Sequence, residues 1–466
     1  MGDFIASFSD AFYSYILIII LLLGGLYFTV RSKFVQIRLL REEVRVVGEK
    51  PADKKGVSSF QALMVSTASR VGTGNIIGVS TAICLGGFGS VFWMWMVALI
   101  CSASAFIEST LAQIYKRRAP DGGCYGGPAY YIETALKCRP LAIVFSVLLI
   151  LTYGVGFNML ASYNLQSTFS AYSFYNSTFT PWIIGFILMV LVCICLFGGG
   201  RRIVKVTELL VPFMGVAYVI VALLIVAINI DMLPSVFGRI FSEAFDFSAI
   251  FGGFSGSCVM YGIKRGLFSN EAGVGSEPNA SASAEISHPV KQGLVQILSV
   301  FLDTVVVCSA TAFMCMCSGV EPNADISGAP YVQASLRAVL GEFGPIFITV
   351  AMILFAFTTL LGNLYYVDKA LIHINGKALD SKFKYTYYVI ASLVIFIGSG
   401  LDSGLLWNIA DITMGLMTVI NMPVIFYLSK YAFRALSSYV KQKKEGKEPT
   451  FIASEVGITG KLDYWS

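Results

Sequence analysis

The chain has 466 residues, 56% of them hydrophobic and 13% charged, with a mean hydropathy of +0.73. A soluble domain carries about 25% charge, so this composition describes a polytopic membrane protein. The net charge of +5 is spread along the chain rather than gathered into one basic patch, which excludes nucleic acid as a partner.

Met1 to Asp10 lacks the basic region of a signal peptide, so no cleavage is expected. Because about 20 apolar residues cross a bilayer, eleven spans are predicted, beginning with Phe12–Val30, Phe60–Leu85, Val91–Tyr115, Leu141–Gln166, Pro181–Phe197 and Thr207–Ile230. The remaining five are Ile250–Gly275, Gln292–Cys317, Gly344–Tyr366, Tyr385–Ile397 and Gly404–Leu428. Lysine and arginine set orientation. With the N-terminus outside and the C-terminus cytoplasmic, 28 of the 33 basic residues fall in inner loops and the tail.

The second span is interrupted by Ser69-Arg70-Val71-Gly72-Thr73-Gly74-Asn75. A charge, two glycines and hydrogen-bonding side chains in hydrocarbon all need partners. Broken helices of this kind hold substrates and ions in secondary transporters. The unwound amides of Thr73 and Gly74 suit a carboxylate, and freed carbonyls suit a small cation. A second reading stays open, because Gly74 and Gly78 also form a GxxxG packing motif with Asn75 as interhelical glue.

In the fourth span, Phe157, Asn158, Tyr163 and Asn164 are expected on a wall of a central cavity. The seventh span contains Lys264 and Arg265, and its break falls at Gly273-Val274-Gly275-Ser276 or at Gly252-Gly253-Phe254-Ser255-Gly256. With the first span set aside, each disrupted span opens a group of five, and two odd-numbered groups insert with opposite orientation. That is an inverted repeat with its site between paired broken helices. In the ninth span, Thr358 and Thr359 are candidates to complete a cation site, although threonine in a membrane helix usually bonds its own i−4 carbonyl.

Arg70, Glu108, Lys264, Arg265, Glu271, Asp303 and Asp411 lie within or near spans. Each costs roughly 2.5–3.5 kcal/mol on insertion scales, so they are expected to face the protein interior or water. Arg265 and Glu271 are predicted to pair along an inner vestibule. The ten cysteines lie within or beside apolar spans, which argues against a disulfide framework. His288 and His373 are read as loop residues and are too few for a haem or metal enzyme. The chain has no HExxH, GxSxG or Walker A motif, so neither enzyme chemistry nor ATP-driven pumping is expected. Lys441–Lys447 is a charge run, solvated or set against anionic lipid.

Several ordered runs carry a resemblance. They are ASRVGTGNIIGVS (Ala68–Ser80), FWMW (Phe92–Trp95), GGPAYYIE (Gly126–Glu133), RGLFSNEAGVGSEPNA (Arg265–Ala280), HPVKQG (His288–Gly293), VFLDT (Val300–Thr304) and FAFTTLLGN (Phe355–Asn363). Through these the chain resembles the alanine/glycine:cation symporter family across most of its length. The resemblance implies an all-α, LeuT-like fold of eleven transmembrane helices, a 5+5 inverted repeat preceded by one extra N-terminal helix. The divisions would be 1–57 (extra helix and basic linker), 58–230 and 248–428 (the two repeats) and 429–466 (cytoplasmic tail). It implies a plasma (inner) membrane importer of a small neutral amino acid, with sodium as coupling ion and no organic cofactor. The expected substrate residues are Gly72, Thr73, Gly74, Asn75, Phe157, Asn158, Ala161, Ser255, Gly256, Thr359 and Asn363. Sodium is expected at Ala68, Val71, Thr358 and Thr359. Many members carry Trp where this chain has Asn363, and Gln and Asn where it has Ala161 and Tyr163, so glutamine joins alanine and glycine as a candidate substrate. Proton coupling and amino-acid exchange are the alternative mechanisms; a channel or an amino-acid sensor would be a different class.

Overall fold

An apolar segment in hydrocarbon must satisfy every backbone N–H and C=O within itself, which leaves the helix as the economical solution. The computed structural model, describing residues 2–51, 56–119, 123–246, 257–377, 379–458, 460 and 462–465, is accordingly built of helices, with one two-stranded hairpin pairing Arg117–Arg118 with Cys124–Tyr125. Among the described residues seven helices are long and apolar enough to cross a membrane. These are α1 (Ser7–Arg31), α4 (Gly89–Ile114), α5 (Arg139–Ala171), α7 (Gly200–Ile228), α9 (Val290–Met316), α10 (Phe343–Asn375) and α12 (Ser403–Lys444). Between them lie α2 (Ser59–Arg70), α3 (Gly74–Gly86), α6 (Thr180–Leu196), α8 (Cys258–Asn270) and α11 (Ser381–Gly398).

Polar residues fix several helix starts. Ser58 accepts from Gln61 N while the Gln61 side chain accepts from Ser58 N, a capping box at the head of α2. Ser257, Asp380 and Asp402 cap α8, α11 and α12, each side chain accepting one backbone N–H of the first turn. On α7 the residues Leu209, Phe213, Val216, Ile220 and Leu223 are exposed. That helical spacing marks a lipid-facing stripe. By contrast α2 and α8 are buried nearly all round. α4 packs along α1, α8 and α9, and α10 packs along α2, α5 and α7.

Four helices widen locally into π turns among the described residues, at Tyr13–Leu17, Gly74–Gly78, Ile150–Gly156 and Phe301–Cys308. Such turns cluster at functional positions because they free a carbonyl and rotate the side chains that follow. α12 continues well beyond Leu428, and the chain after it folds back on the loop preceding α9. There Phe451 N donates to Ser287 O (3.1 Å), Ser287 Oγ donates to Pro449 O (2.8 Å), and the His288 ring lies between Tyr439 and Phe451. His288 is therefore a loop residue as expected. His373 is not: it occupies the last turn of α10, bonded to Ser146 (2.9 Å) and Glu133 (2.8 Å).

Candidate functional site

The break in the second span lies where the sequence puts it. α2 ends at Arg70, Val71 leaves the helical region (φ −75°, ψ 84°), and α3 starts at Gly74. In a continuous helix Gly72 N would bond the Ala68 carbonyl. Here it donates to Asn75 Oδ1 (2.8 Å), so the Ala68 carbonyl loses that donor. The glycines are needed for close approach. A Cβ on Gly72 would overlap Thr359 Oγ1, and one on Gly74 would lie 2.8 Å from the Phe268 ring. Thr73 is held from outside the break, its Oγ1 accepting from Asn164 Nδ2 (3.0 Å).

A small cavity of about 10 Å³ opens against the break, room for roughly one water. Gly72, Thr73, Gly74, Phe157, Ala161 and Thr359 line it, joined by Phe268 and Glu271. Asn75, Asn158 and Asn363 lie beside it without lining it. Ser255 and Gly256 fall outside the described residues. Ser69 Oγ donates to Asn363 Oδ1 (2.7 Å) and Asn363 Nδ2 to Asn158 Oδ1 (2.9 Å). The Asn158 amide nitrogen is buried without a hydrogen-bond partner among the described residues.

The two threonines of α10 differ. Thr358 Oγ1 donates back to Leu354 O (2.9 Å) and Phe355 O (3.2 Å) of its own helix, the ordinary fate of threonine in a membrane helix. Thr359 Oγ1 faces Gly72, is buried, and has no hydrogen-bond partner among the described residues. The structure thus separates a pair that the sequence treats alike.

A second polar cluster adjoins the break. Asp303, fully buried on the widened turn of α9, accepts from Asn75 Nδ2 (2.7 Å), Ser269 Oγ (2.8 Å) and Thr304 Oγ1 (2.8 Å). Cys308 Sγ closes the same corner, 3.2 Å from Asn75 Nδ2 and 3.1 Å from Ser269 Oγ. Asp303 forms no ion pair among the described residues. A buried carboxyl flanked by two side-chain hydroxyls is oxygen chemistry of the kind that suits a small hard cation. Sequence reasoning flagged Asp303 as costly but gave it no task. The available signal was its position in VFLDT, an acid followed by a hydroxyl within a span.

Layers of charge lie on both sides of the cavity. On one side α8 ends at Asn270, Glu271 takes a left-handed conformation (φ 53°), and Gly273 and Gly275 follow at φ 88° and 90°. Among the described residues this is where the seventh span unwinds; the other candidate, Gly252 to Gly256, lies outside them. In this layer Arg70 pairs with Glu277 (3.1 Å) and donates to Gln296 Oε1 (3.0 Å). Ser276 Oγ donates to Glu271 (2.6 Å), and Glu108 accepts from Gly273 N (2.9 Å) and Asn421 Nδ2 (2.7 Å). On the other side the Phe268 ring packs, tilted, between Phe157 (4.6 Å) and Trp407 (4.7 Å). Arg265 sits 4.0 Å over the Trp407 ring and 3.3 Å from Asp411, which also pairs with Lys264 (3.1 Å). The expected Arg265–Glu271 pair does not form. Six residues of helix separate them by about 9 Å, so Arg265 turns to α12 while Glu271 joins the opposite layer.

A family model described as the sodium:alanine symporter family matches residues 1–453. The probable sodium/glutamine symporter GlnT of Bacillus subtilis (strain 168) is 43% identical over 460 residues, covering 98% of this chain and 94% of its own. The sodium/alanine symporter AgcS of Methanococcus maripaludis is 37% identical over 423 residues, covering 88% of this chain and 91% of its own. Among solved structures, MhsT in complex with L-phenylalanine aligns with a TM-score of 0.54 at 14% identity, over 88% of this chain and 92% of that one. That likeness is one of fold, a LeuT-like helical membrane architecture.

Proposed function

The chain belongs to the sodium:alanine symporter family, and from that premise we propose that it carries a small neutral amino acid into the cell together with sodium by alternating access. The architecture in this reading is the ten-helix inverted repeat, 58–230 against 248–428, behind one extra helix, with the N-terminus outside and the C-terminus in the cytoplasm. The substrate carboxylate docks on the amides of the break, at the positive end of α3. Its side chain points toward Phe157, Ala161 and Phe268, where aromatic faces and a small residue set the width. Sodium is held at two places. One is formed by the Ala68 and Val71 carbonyls with Thr359 Oγ1, the other by the Asp303 carboxylate with the Ser269 and Thr304 hydroxyls, Asn75 positioning that carboxylate through its Nδ2. Thr358, whose hydroxyl bonds its own helix, supports the first place by packing rather than by ligation.

The observation that carries this reading is the Thr359 hydroxyl, buried, without a partner among the described residues and set against an unwound backbone. A buried hydroxyl left unsatisfied costs about 1–3 kcal/mol, and a cation between it and the carbonyls removes that cost. Sodium bound there stabilises the break and so raises substrate affinity, a coupling typically worth about 1–3 kcal/mol. The Asn363–Asn158 pair beside the pocket supports glutamine as a substrate beside alanine and glycine, since its amides offer a donor and an acceptor to a carboxamide.

The test is uptake of labelled alanine, glycine and glutamine into liposomes holding the purified protein, with and without an inward sodium gradient. Saturable uptake that collapses without sodium is the expected result. Uptake driven by a proton gradient, or by internal amino acid alone, would replace sodium coupling with the alternatives; binding without uptake would end the transporter reading. The Asn363→Trp variant, which removes both hydrogen bonds of that residue, is expected to lower the competition of glutamine relative to alanine. An unchanged order of competition would remove Asn363 from the substrate site.

A further inference from the structure

We propose that the cleft between the turn after α1 and the last turns of α12 binds the phosphate headgroup of an anionic phospholipid. The cleft is a cavity of about 660 Å³ that receives Arg31, Lys33 and Arg38 from one wall and Lys441 and Lys444 from the other, against one acid, Glu445. This inference stands apart from the transport reading, because none of these residues touches the central site.

The bases of this cleft differ from their neighbours. Close by, Arg45 pairs with Glu42 (2.7 Å) and Glu49 (2.9 Å), Lys443 with Glu42 (3.2 Å), and Lys291 with Glu49 (2.7 Å) and Glu448 (2.5 Å). Arg31, Lys33, Arg38, Lys441 and Lys444 have no carboxylate within 4.0 Å among the described residues. Five like charges converging on one concave space repel one another, and an anion there relieves the repulsion. The wall is also pre-shaped. Lys33 and Phe34 both take left-handed conformations, φ 58° and 54°, which L-residues other than glycine adopt only where the surroundings hold them. Arg38 Nη2 is tied to Ser32 O (3.2 Å), and the Arg31 guanidinium lies 5.6 Å over the Phe433 ring.

Exposed apolar side chains identify the source of the phosphate. Leu26, Val30, Phe34 and Ile37 on the α1 side and Phe426 and Tyr427 on the α12 side are all exposed. A soluble phosphate gains nothing from an apolar collar, whereas a lipid lays its chains along it. Basic pockets between helices at the membrane surface recognise lipid headgroups in this way. A lipid seated here fastens α1 to α12.

The full-length protein in detergent would be titrated with cardiolipin, phosphatidylglycerol, phosphatidylethanolamine and inorganic pyrophosphate, reading retained lipid by native mass spectrometry and unfolding by thermal melting. Cardiolipin retained at least tenfold over phosphatidylethanolamine is expected. The Arg31→Gln/Lys441→Gln/Lys444→Gln variant is expected to reduce that retention at least tenfold. Lys382→Gln, outside the cleft, and the charge-keeping Lys441→Arg/Lys444→Arg should retain it. Equal retention by the triple variant would overturn the proposal. So would pyrophosphate that raises the melting temperature without lipid and displaces cardiolipin at equal concentration, because the site would then serve a soluble anion. If the triple variant fails to fold, Lys444→Gln alone is read instead, with a loss of about threefold expected and no loss counting against the proposal.

Discussion

Thr358 and Thr359 are adjacent in sequence, yet one hydroxyl is spent on its own helix and the other faces the break. Thr359→Val is therefore expected to raise the sodium concentration for half-maximal uptake about tenfold, equivalent to about 1.4 kcal/mol, while Thr358→Val changes it less than threefold. Equal effects would show that the hydroxyl of Thr359 is not a ligand. Glu43 makes a separate prediction outside the membrane, on the Leu40–Val47 helix that follows α1. Its side chain is buried and neither oxygen has a hydrogen-bond partner among the described residues. Burial pushes its carboxyl up to about 8. The folded protein keeps this proton while the unfolded chain releases it near an ordinary carboxyl value of about 4.3. The stability that Glu43 contributes is thus full below about pH 4.3 and is lost as pH rises toward 8. Glu43→Gln is expected to flatten that loss in thermal melts between pH 5 and 8; an unchanged slope would assign it to another group. Asn75, Gly72 and Thr359 were legible because polar residues and glycines stand out against apolar spans. The contrast between Thr358 and Thr359 was not, because a helix turns about 100° per residue and nothing local says which of two neighbours faces the partner.

Among elements, the break between α2 and α3 shapes the cavity, and the turn after α8 sets Glu271 against it. In the second span the sequence carried the signal fully, since glycines on either side of Thr73 remove the Cβ atoms that would clash. Gly72→Ala is expected to cut uptake more than tenfold while the protein still folds, because the new methyl displaces Thr359 rather than a backbone wall. Overpacking of this kind typically costs about 1–3 kcal/mol. Uptake near wild type would mean that α10 moves away from the break without penalty. The seventh span was harder to read, and its Arg265–Glu271 pairing was wrongly expected. Sequence separation suggested proximity, but the end of α8 sends the two residues to opposite layers. The widened turns at Gly74–Gly78, Ile150–Gly156 and Phe301–Cys308 had no sequence signal at all. They depend on packing between helices far apart in the chain, and they explain why Asp303 went without a role.

For the molecule as a whole, composition and the spacing of apolar runs made the membrane class and the helical architecture legible, because the bilayer leaves few alternatives. How the cavity is closed was not legible. It is lined by tilted aromatic rings under a charged cap on one side and by a buried ion-pair layer on the other. Arg265→Gln leaves Asp411 its Lys264 partner, so folding should persist. The cap loses its cation–π contact, worth about 0.5–2 kcal/mol. Steady-state accumulation is expected to fall several-fold through faster back-leak, with sodium-dependent binding retained. Unchanged accumulation would show that Phe268 and Trp407 close this side unaided.

Cys308 gives the proposed cation site at Asp303 its own chemical probe. Its thiol touches both Asn75 and Ser269 and is only 3% exposed, so an alkylating reagent can reach it only when that corner comes apart. Thiol reactivity depends on such access. Maleimide modification of Cys308, located by peptide mass spectrometry, should be slow in sodium and at least threefold faster in its absence. Matching rates would mean that sodium leaves this corner untouched. A native cysteine would thus let the occupancy of the proposed ion site be followed over time, without an introduced label and without measuring transport.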